Sequence, residues 1–353
     1  MLRHTFHTTL RKINYNYMSH WSNVLGSKID PIMALTEDFN NNKNNNKINL
    51  TIGVYRDNNG QPLVLNSVKK AKEIIKKENH EYAGILGLNN FVNASLKFAY
   101  GDRDDDFFNK VAATQTISGT GACRLGAEFI NKNFDKKEIY LPNITWGNHI
   151  PIMNNAGLKI KRYEYYNDSY KCIEINRLIS SINKAPNNSI FLFHVCAHNP
   201  TGVDPTKEEW KTIYNAMTNK NHIIFFDCAY QGFASGNHHN DAYPIRLFSK
   251  YNQNNNVMLA QSFSKNFGLY GERVGTFSIV TNNEEEKTNI QNNLKSIIRP
   301  MYSNPPINGA RIVSTILNNP ELYNEWEQEC NNMAQRIIKM RKLLRDKLNA
   351  HNI

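Results

Sequence analysis

Short apolar runs recur along the chain at Glu138–Leu141, Leu158–Tyr163, Ile190–Cys196, Ile223–Asp227, Val257–Ser262 and Val274–Val280. Another, beginning at Thr114, leads into Ser118-Gly119-Thr120-Gly121. Their lengths suit strands, and their near-continuous apolarity predicts burial on both faces. Between them lie segments with helical spacing: Glu174–Lys184, Lys207–Thr218, and the stretch after Gly121 to about Phe134. Thr206 and Glu209 form a capping-box pattern ahead of the second of these. Strands alternating with helices predict an α/β fold, with a mainly parallel sheet covered by helices. Ligands of such sheets sit beyond the carboxyl ends of the strands, and Ser118, Asn199, Asp227 and Lys265 all lie at or just past such ends.

The flanks read differently. Asp30 and Pro31 suit the start of a helix reaching Phe39. The Asn-rich stretch 40–47 reads as an exposed loop, Ile48–Tyr55 restarts an apolar pattern, and Ser67–Lys77 reads as a basic helix. From Asn319 to about Leu348 one long helix is predicted, capped by Asn319 with Pro320 at its first position. Leu322, Trp326, Cys330, Met333, Ile337, Met340, Leu344 and Leu348 recur along one face. Its acids crowd the start and its bases the end, matching the helix dipole.

Residues 1–20 carry Arg3, Arg11 and Lys12 with no acid before Asp30, and Leu2, Phe6, Leu10 and Ile13 fall on one helical face. That pattern predicts a mitochondrial targeting peptide rather than a secretory signal. The 353 residues carry a net charge of +11. The bases are dispersed and no recognition-module signature accompanies them, so nucleic acid is not an expected partner, whereas small anions are. No apolar run is long enough to cross a bilayer, and no membrane partner is expected. Five cysteines without a C-x-x-C pair indicate a reducing compartment. His194 and His198 straddle a strand end, where strand geometry should hold them apart, and no metal site is expected.

The candidate chemistry centres on Ser262-Phe263-Ser264-Lys265-Asn266-Phe267-Gly268-Leu269-Tyr270-Gly271-Glu272-Arg273-Val274-Gly275. A lysine fixed at a strand end, with a cation and hydroxyls nearby, suits attack on a carbonyl. Small residues opening a helix at Ser118–Gly121 suit a phosphate. Asp227, ending an apolar strand, needs a cationic or hydrogen-bonding partner. Tyr230 and Asn199 are placed to bond an oxygen near it, and Trp146 offers a flat face for stacking.

Together these strings resemble the aspartate aminotransferase family, in its mitochondrial form, from Ser19 onward. The resemblance rests on Gly-Val-Tyr-Arg-Asp (53–57), Ser-Gly-Thr-Gly-Ala (118–122), Trp-Gly-Asn-His (146–149), His-Asn-Pro-Thr-Gly-Val-Asp-Pro-Thr (198–206), Asp-Cys-Ala-Tyr-Gln-Gly-Phe-Ala-Ser-Gly (227–236), the lysine segment, and Ile-Arg-Pro-Met-Tyr-Ser-Asn-Pro-Pro (298–306). It implies a fold-type I enzyme that uses pyridoxal 5'-phosphate to move an amino group between L-aspartate and 2-oxoglutarate in the mitochondrial matrix. By resemblance, Lys265 holds the cofactor covalently and acts as general base, and Asp227 pairs with the ring nitrogen. Tyr230 and Asn199 bond the phenolic oxygen. Ser118, Gly119, Thr120, Ser262 and Arg273 hold the phosphate. Trp146, Asn199 and Gly53 also border the substrate. Tyr82 and Arg299 are implied to serve the partner's site in a homodimer with shared active sites, Arg299 taking the side-chain carboxylate of a dicarboxylic amino or keto acid. The implied domains are 21–62 (N-terminal part of a small domain), 63–320 (large cofactor domain) and 321–353 (long interdomain helix, where the small domain resumes).

Two departures stand out. Ala83-Gly84-Ile85 replaces a proline-containing turn, which loosens that loop by less than about 1 kcal/mol. The family continues several dozen residues past Ile353, through most of the small domain and the arginine implied to grip the α-carboxylate. The expectation is an aminotransferase copied incompletely; the alternative is a shortened, cofactor-binding dimer partner with little transaminase activity.

Overall fold

The computed structural model describes residues 19–26, 31–51, 53–251 and 256–351. The chain divides into a unit spanning 1–53 and a unit spanning 54–353. In the first, a helix runs Pro31–Asn41. The Asn-rich segment behind it is exposed, and Lys47 Nζ donates to the carbonyl oxygens of Phe39 (2.7 Å) and Asn42 (2.5 Å), closing that helix end. The apolar face expected at Leu2, Phe6, Leu10 and Ile13 lies outside the described residues.

The second unit is built on strands β1 (Val111–Ile117), β2 (Glu138–Pro142), β3 (Lys159–Tyr163), β4 (Tyr166–Asn167), β5 (Cys172–Ile173), β6 (Ile190–His194), β7 (Ile223–Cys228), β8 (Val257–Ser262) and β9 (Val274–Val280). Among the described residues, seven of these form one sheet in the order β1-β9-β8-β7-β6-β2-β3, and β4 pairs with β5 in a small hairpin. The pairs β2–β3, β2–β6, β6–β7 and β7–β8 are parallel. β9 runs antiparallel to both β8 and β1. That reversal was not legible in an apolar pattern that reads the same in either direction. It brings the start of β9, and with it Arg273, to the edge where β1, β7 and β8 end.

The sheet has a buried cluster on each face. Phe191, Phe193, Phe226 and Leu259 pack with Trp210, Ile213 and Phe248. Their strand neighbours Leu192, Phe225, Met258 and Ala260 pack with Leu125, Ile130 and Phe277. Alternate residues of one strand thus feed opposite cores, which is why the runs are apolar throughout. The helix Lys207–Asn219 starts on the expected capping box: Glu209 N donates to Thr206 Oγ1 (3.2 Å) and Thr206 N to Glu209 Oε2 (2.7 Å).

The long C-terminal helix runs Pro320–Ala350, capped by Asn319 Oδ1, which accepts from Glu321 N and Leu322 N. Only its first half is buried, through Leu322, Trp326, Cys330, Met333 and Ala334. Ile338, Met340, Leu343, Leu344 and Leu348 along its second half are exposed. No helix among the described residues is long and apolar enough to cross a membrane.

Candidate active site

Lys265 follows β8 in a turn whose flanking residues are locked. Phe263 N donates to Val274 O (3.1 Å), Asn266 Nδ2 to Gln231 O (2.9 Å), and Trp326 Nε1 to Asn266 O (2.9 Å). Phe267 stacks on Trp326 with ring centroids 4.7 Å apart. Phe263 and Phe267 are fully buried, so the turn is fixed by packing while the lysine between them stays half-buried. Burial, and after it the Arg273 guanidinium, lowers the pKa of Lys265 from its ordinary value. Both effects favour the neutral amine, the form that attacks carbonyls and takes protons.

Beside the lysine is a cluster of hydroxyls. Ser118 Oγ lies 3.2 Å from Ser262 Oγ and 2.8 Å from Ser264 Oγ, and all three residues are buried. Arg273 Nη1 reaches Ser264 Oγ at 3.5 Å and Tyr270 O at 2.9 Å. The register explains the convergence: Ile117 is paired with Val274, and Ser262 with Gly275. The helix Ser118–Asn133 begins at this point with no side-chain cap, leaving its first N–H groups to an outside acceptor. A Cβ on Gly119 would sit 2.9 Å from Ser262 Cβ, and one on Gly275 would sit 2.5 Å from Gln261 O and 2.7 Å from Ser118 C. Only glycine permits this approach of three strand ends. Ser118 and Arg273 both adopt positive φ (60° and 50°), strain of the kind that collects at ligand sites.

Asp227, 8 % exposed, anchors the opposite side. Its Oδ2 lies 3.0 Å from His149 Nε2. His149 Nδ1 is 2.8 Å from Thr145 Oγ1, which is 3.1 Å from His194 Nε2. His194 Nδ1 in turn accepts from Asn199 N at 3.1 Å. A backbone N–H can only donate, and that orients the whole chain. Burial, then His149 and His198, lowers the pKa of His194 well below its ordinary value, so it is neutral with its one proton on Nε2. Thr145 accepts that proton and directs its own at His149 Nδ1. His149 then donates from Nε2 to the carboxylate, a tautomer assigned from the network.

Asn199 and Tyr230 stand next to this acid. Tyr230's pKa is raised, by burial first and then by Asp227, with the nearby Asn199 side chain opposing the shift. Trp146 meets His149 edge-on, ring centroids 5.2 Å apart. Thr120 lies in the first turn of the uncapped helix. Tyr82 and Arg299 stand outside the cluster. Tyr82 is 83 % exposed, and Arg299, exposed near the end of the helix Glu284–Met301, donates to Ser303 Oγ at 2.6 Å. Gly53 belongs to the first unit.

The spacing argument for His194 and His198 needs correcting. Their rings stack with centroids 4.2 Å apart, because β6 ends at His194 and the chain bends back through Ala197 at φ 47°. Sequence reasoning also passed over Thr145, His149, Ser264 and Tyr270. His149 had a signal: a buried histidine three residues after Trp146, at the start of the helix His149–Asn155. Thr145 had none, since its role depends on bridging the nearby His149 to His194, which comes from a distant segment.

The donor set fits a phosphorylated, protonatable aromatic aldehyde. The uncapped helix start, three hydroxyls, Arg273 and the glycine approach suit the phosphate. The buried carboxylate suits a ring nitrogen, and the lysine suits the aldehyde carbon. Comparisons with known proteins agree. The family model described as "Aminotransferase class I and II" matches residues 45–353. The mitochondrial aspartate aminotransferase of Dictyostelium discoideum is 46 % identical over 334 residues, covering 94 % of this chain and 78 % of that protein. The Gallus gallus protein of the same name is 46 % identical over 330 residues, 92 % of this chain and 78 % of its own length. Among solved structures, an aspartate aminotransferase from Saccharomyces cerevisiae cytoplasm superposes with a TM-score of 0.91 at 40 % identity, covering 94 % of this chain and 83 % of that one.

Proposed function

The chain belongs to the class I and II aminotransferase family, and on that premise we propose that it moves an amino group between L-aspartate and 2-oxoglutarate, giving oxaloacetate and L-glutamate in a ping-pong reaction. The observation that carries this reading is the convergence of Lys265, the His149-bonded Asp227 and the Ser118–Ser264–Arg273 cluster at one end of the sheet. Its cofactor is pyridoxal 5'-phosphate. When bound, the cofactor supplies a conjugated, electron-withdrawing ring that takes up the electron pair released at the amino acid's α-carbon.

The chain's own residues do the rest. Ser118, Gly119, Thr120, Ser262 and Arg273 hold the phosphate through hydroxyls, backbone N–H groups and a guanidinium. Asp227, kept in place by His149, pairs with the ring nitrogen and keeps it protonated. Tyr230 and Asn199 bond the phenolic oxygen, and Trp146 stacks on the ring. Lys265 Nζ would take the proton from the substrate α-carbon and deliver it to the cofactor's aldehyde carbon, across the nitrogen between them; its lowered pKa suits both directions of transfer.

We place the protein in the mitochondrial matrix, following its mitochondrial relatives and the basic, acid-free start of the chain. Residues 63–320 serve as the large cofactor domain, with 21–62 and 321–353 as parts of a small domain. The working form is a symmetric homodimer in which Tyr82 and Arg299 of one protomer serve the site of the other; the exposure of both side chains leaves them available for that role.

The test is a coupled assay of oxaloacetate formation with pyridoxal phosphate present, comparing aspartate with alanine and phenylalanine. Aspartate is the expected preferred donor. Lys265→Ala should lower the rate by about 10²–10⁴-fold, the range of general acid–base catalysis. Equal turnover of all three donors would overturn the dicarboxylate assignment.

A further inference from the structure

Two contacts link Lys265 to the long C-terminal helix, and no role in the chemistry above uses the second. Lys265 Nζ lies over the ring of Tyr270, 5.2 Å from its centroid. Tyr270 is itself pinned, because its hydroxyl accepts from Tyr55 N at 2.9 Å. Tyr55 is held in turn by Arg336 of the helix Pro320–Ala350, whose guanidinium carbon sits 5.3 Å from the Tyr55 ring centroid. Arg336 also fixes the segment that carries Tyr55, donating to Arg56 O at 3.0 Å and to Asn58 Oδ1 at 2.8 and 3.1 Å. One turn of chain, 55–58, is therefore bolted to the helix on one side and supports Tyr270 on the other. The first link, Trp326 on Asn266 and Phe267, holds the backbone on either side of the lysine. The Arg336 link instead acts on the side chain.

From this arrangement we propose that Tyr270 is a positioning residue for the Lys265 amine, and that Arg336 holds Tyr270 in place through Tyr55. The inference rests on the reading of Lys265 as the proton-transferring group. A lysine that shuttles a proton between two carbons must swing over a short arc without wandering into solvent. A flat ring on one side limits that arc, and its π face attracts the ammonium while leaving the neutral amine nearly untouched. The ring thereby opposes burial and Arg273, both of which favour the neutral form. Arg273 acts on this amine and Tyr270 lies over it, while Tyr270 itself faces Arg56 and Tyr230, and Tyr230 faces Asp227. Of these, only Tyr270 is both in ring contact with Nζ and bonded to the segment that Arg336 holds.

The experiment measures the amine directly, without requiring turnover. The full chain, stripped of cofactor, is reacted with an amine-specific acylating reagent across pH, and labelling of Lys265 is quantified by peptide mass spectrometry. Removing the ring in Tyr270→Leu should lower the Lys265 pKa by about half to one and a half units, the size of a partly desolvated cation–π contact. Tyr270→Phe keeps the ring and loses only the acceptor for Tyr55 N–H, and should restore most of the shift. Arg336→Ala should move the value in the same direction as Tyr270→Leu but less, with Arg336→Lys intermediate. In the holoenzyme, Tyr270→Leu should lower kcat for aspartate about ten-fold or more with KM changed less than three-fold, because the substrate carboxylates are held elsewhere.

A Lys265 pKa in Tyr270→Leu within 0.2 units of the parent, measured on chain that remains folded by circular dichroism, would overturn the proposal. Should Tyr270→Leu not fold, Tyr270→Phe and Arg336→Ala decide it: an unchanged Lys265 pKa in Arg336→Ala refutes the link to the helix. If the labelling shifts appear in a protein that transaminates nothing, the positioning inference stands and the proposed function fails. If transamination is robust but the shifts are absent, the reverse holds.

Discussion

Substituting valine for Thr145 is the sharpest test of the chain that supports Asp227. Valine matches threonine in shape but cannot accept from His194 Nε2, 3.1 Å away, or donate to His149 Nδ1, 2.8 Å away. Each lost bond is worth about 1 kcal/mol, and a buried polar group left unpaired costs roughly 1–3 kcal/mol. Both histidines are buried, so neither recovers its partner from bulk water. Thr145→Val should therefore destabilise the cofactor-free chain by about 2–4 kcal/mol. Thr145→Ser keeps the hydroxyl and should cost about 1 kcal/mol or less, the value of the missing methyl.

The assay is equilibrium unfolding in urea at pH 7.5, with the cofactor removed so that binding does not mask the difference. A second effect should follow. With Thr145 silent, His149 is free to place its proton on either nitrogen, and its donation to Asp227 weakens. Pyridoxal phosphate should then bind at least about ten-fold more weakly to Thr145→Val than to Thr145→Ser, the equivalent of one 1.4 kcal/mol step. If the two variants unfold within 0.5 kcal/mol of each other, the Thr145 hydroxyl does not carry the stabilising bonds to His149 and His194.

Three further outcomes are expected. His198 is kept neutral by burial, with His149 adding to the effect, and its pKa falls to about 4. The unfolded chain protonates it near its ordinary 6.5, so its contribution is fully present above that value and is lost as pH falls toward 4. Urea midpoints should decline over this window, with about 3 kcal/mol at stake for this residue, and His198→Gln should flatten the slope. Gly275→Ala drives a Cβ to within 2.9 Å of Ser118 O and closer still to Gln261 O. It should cost about 1–3 kcal/mol and weaken inorganic phosphate competition against cofactor binding, measured by fluorescence titration. Finally, mixing Lys265→Ala with Arg299→Ala chains after brief unfolding should recover about a quarter of parental activity, because half the dimers then carry one native site of two. No recovery above the separate variants would argue against a shared site.

Much of this protein is present in its sequence. The apolar runs that feed two cores dictate a helix-covered sheet, because only strands buried on both faces tolerate such continuity. The capping box at Thr206 and the Asn319-Pro320 start fixed two helices by local chemistry alone. Lys265, Asp227 and the Ser118–Gly121 helix start stand out in the sequence as candidate site residues, since each pairs an unusual residue type with a strand end. Other features depended on neighbours that are remote along the chain. The direction of β9 is set by its partners β8 and β1, and only that reversal carries Arg273 to the hydroxyl cluster. His149, Thr145 and His194 form a directed proton order because two separate segments, 145–149 and 194–199, meet beneath one carboxylate. Tyr270 acquires its place over Lys265 from Tyr55, more than two hundred residues earlier. Sequence specifies local conformation and burial through short-range propensity and periodicity. Partner identity, strand direction and proton placement are long-range properties, decided only when the packed sheet brings distant groups within hydrogen-bonding distance.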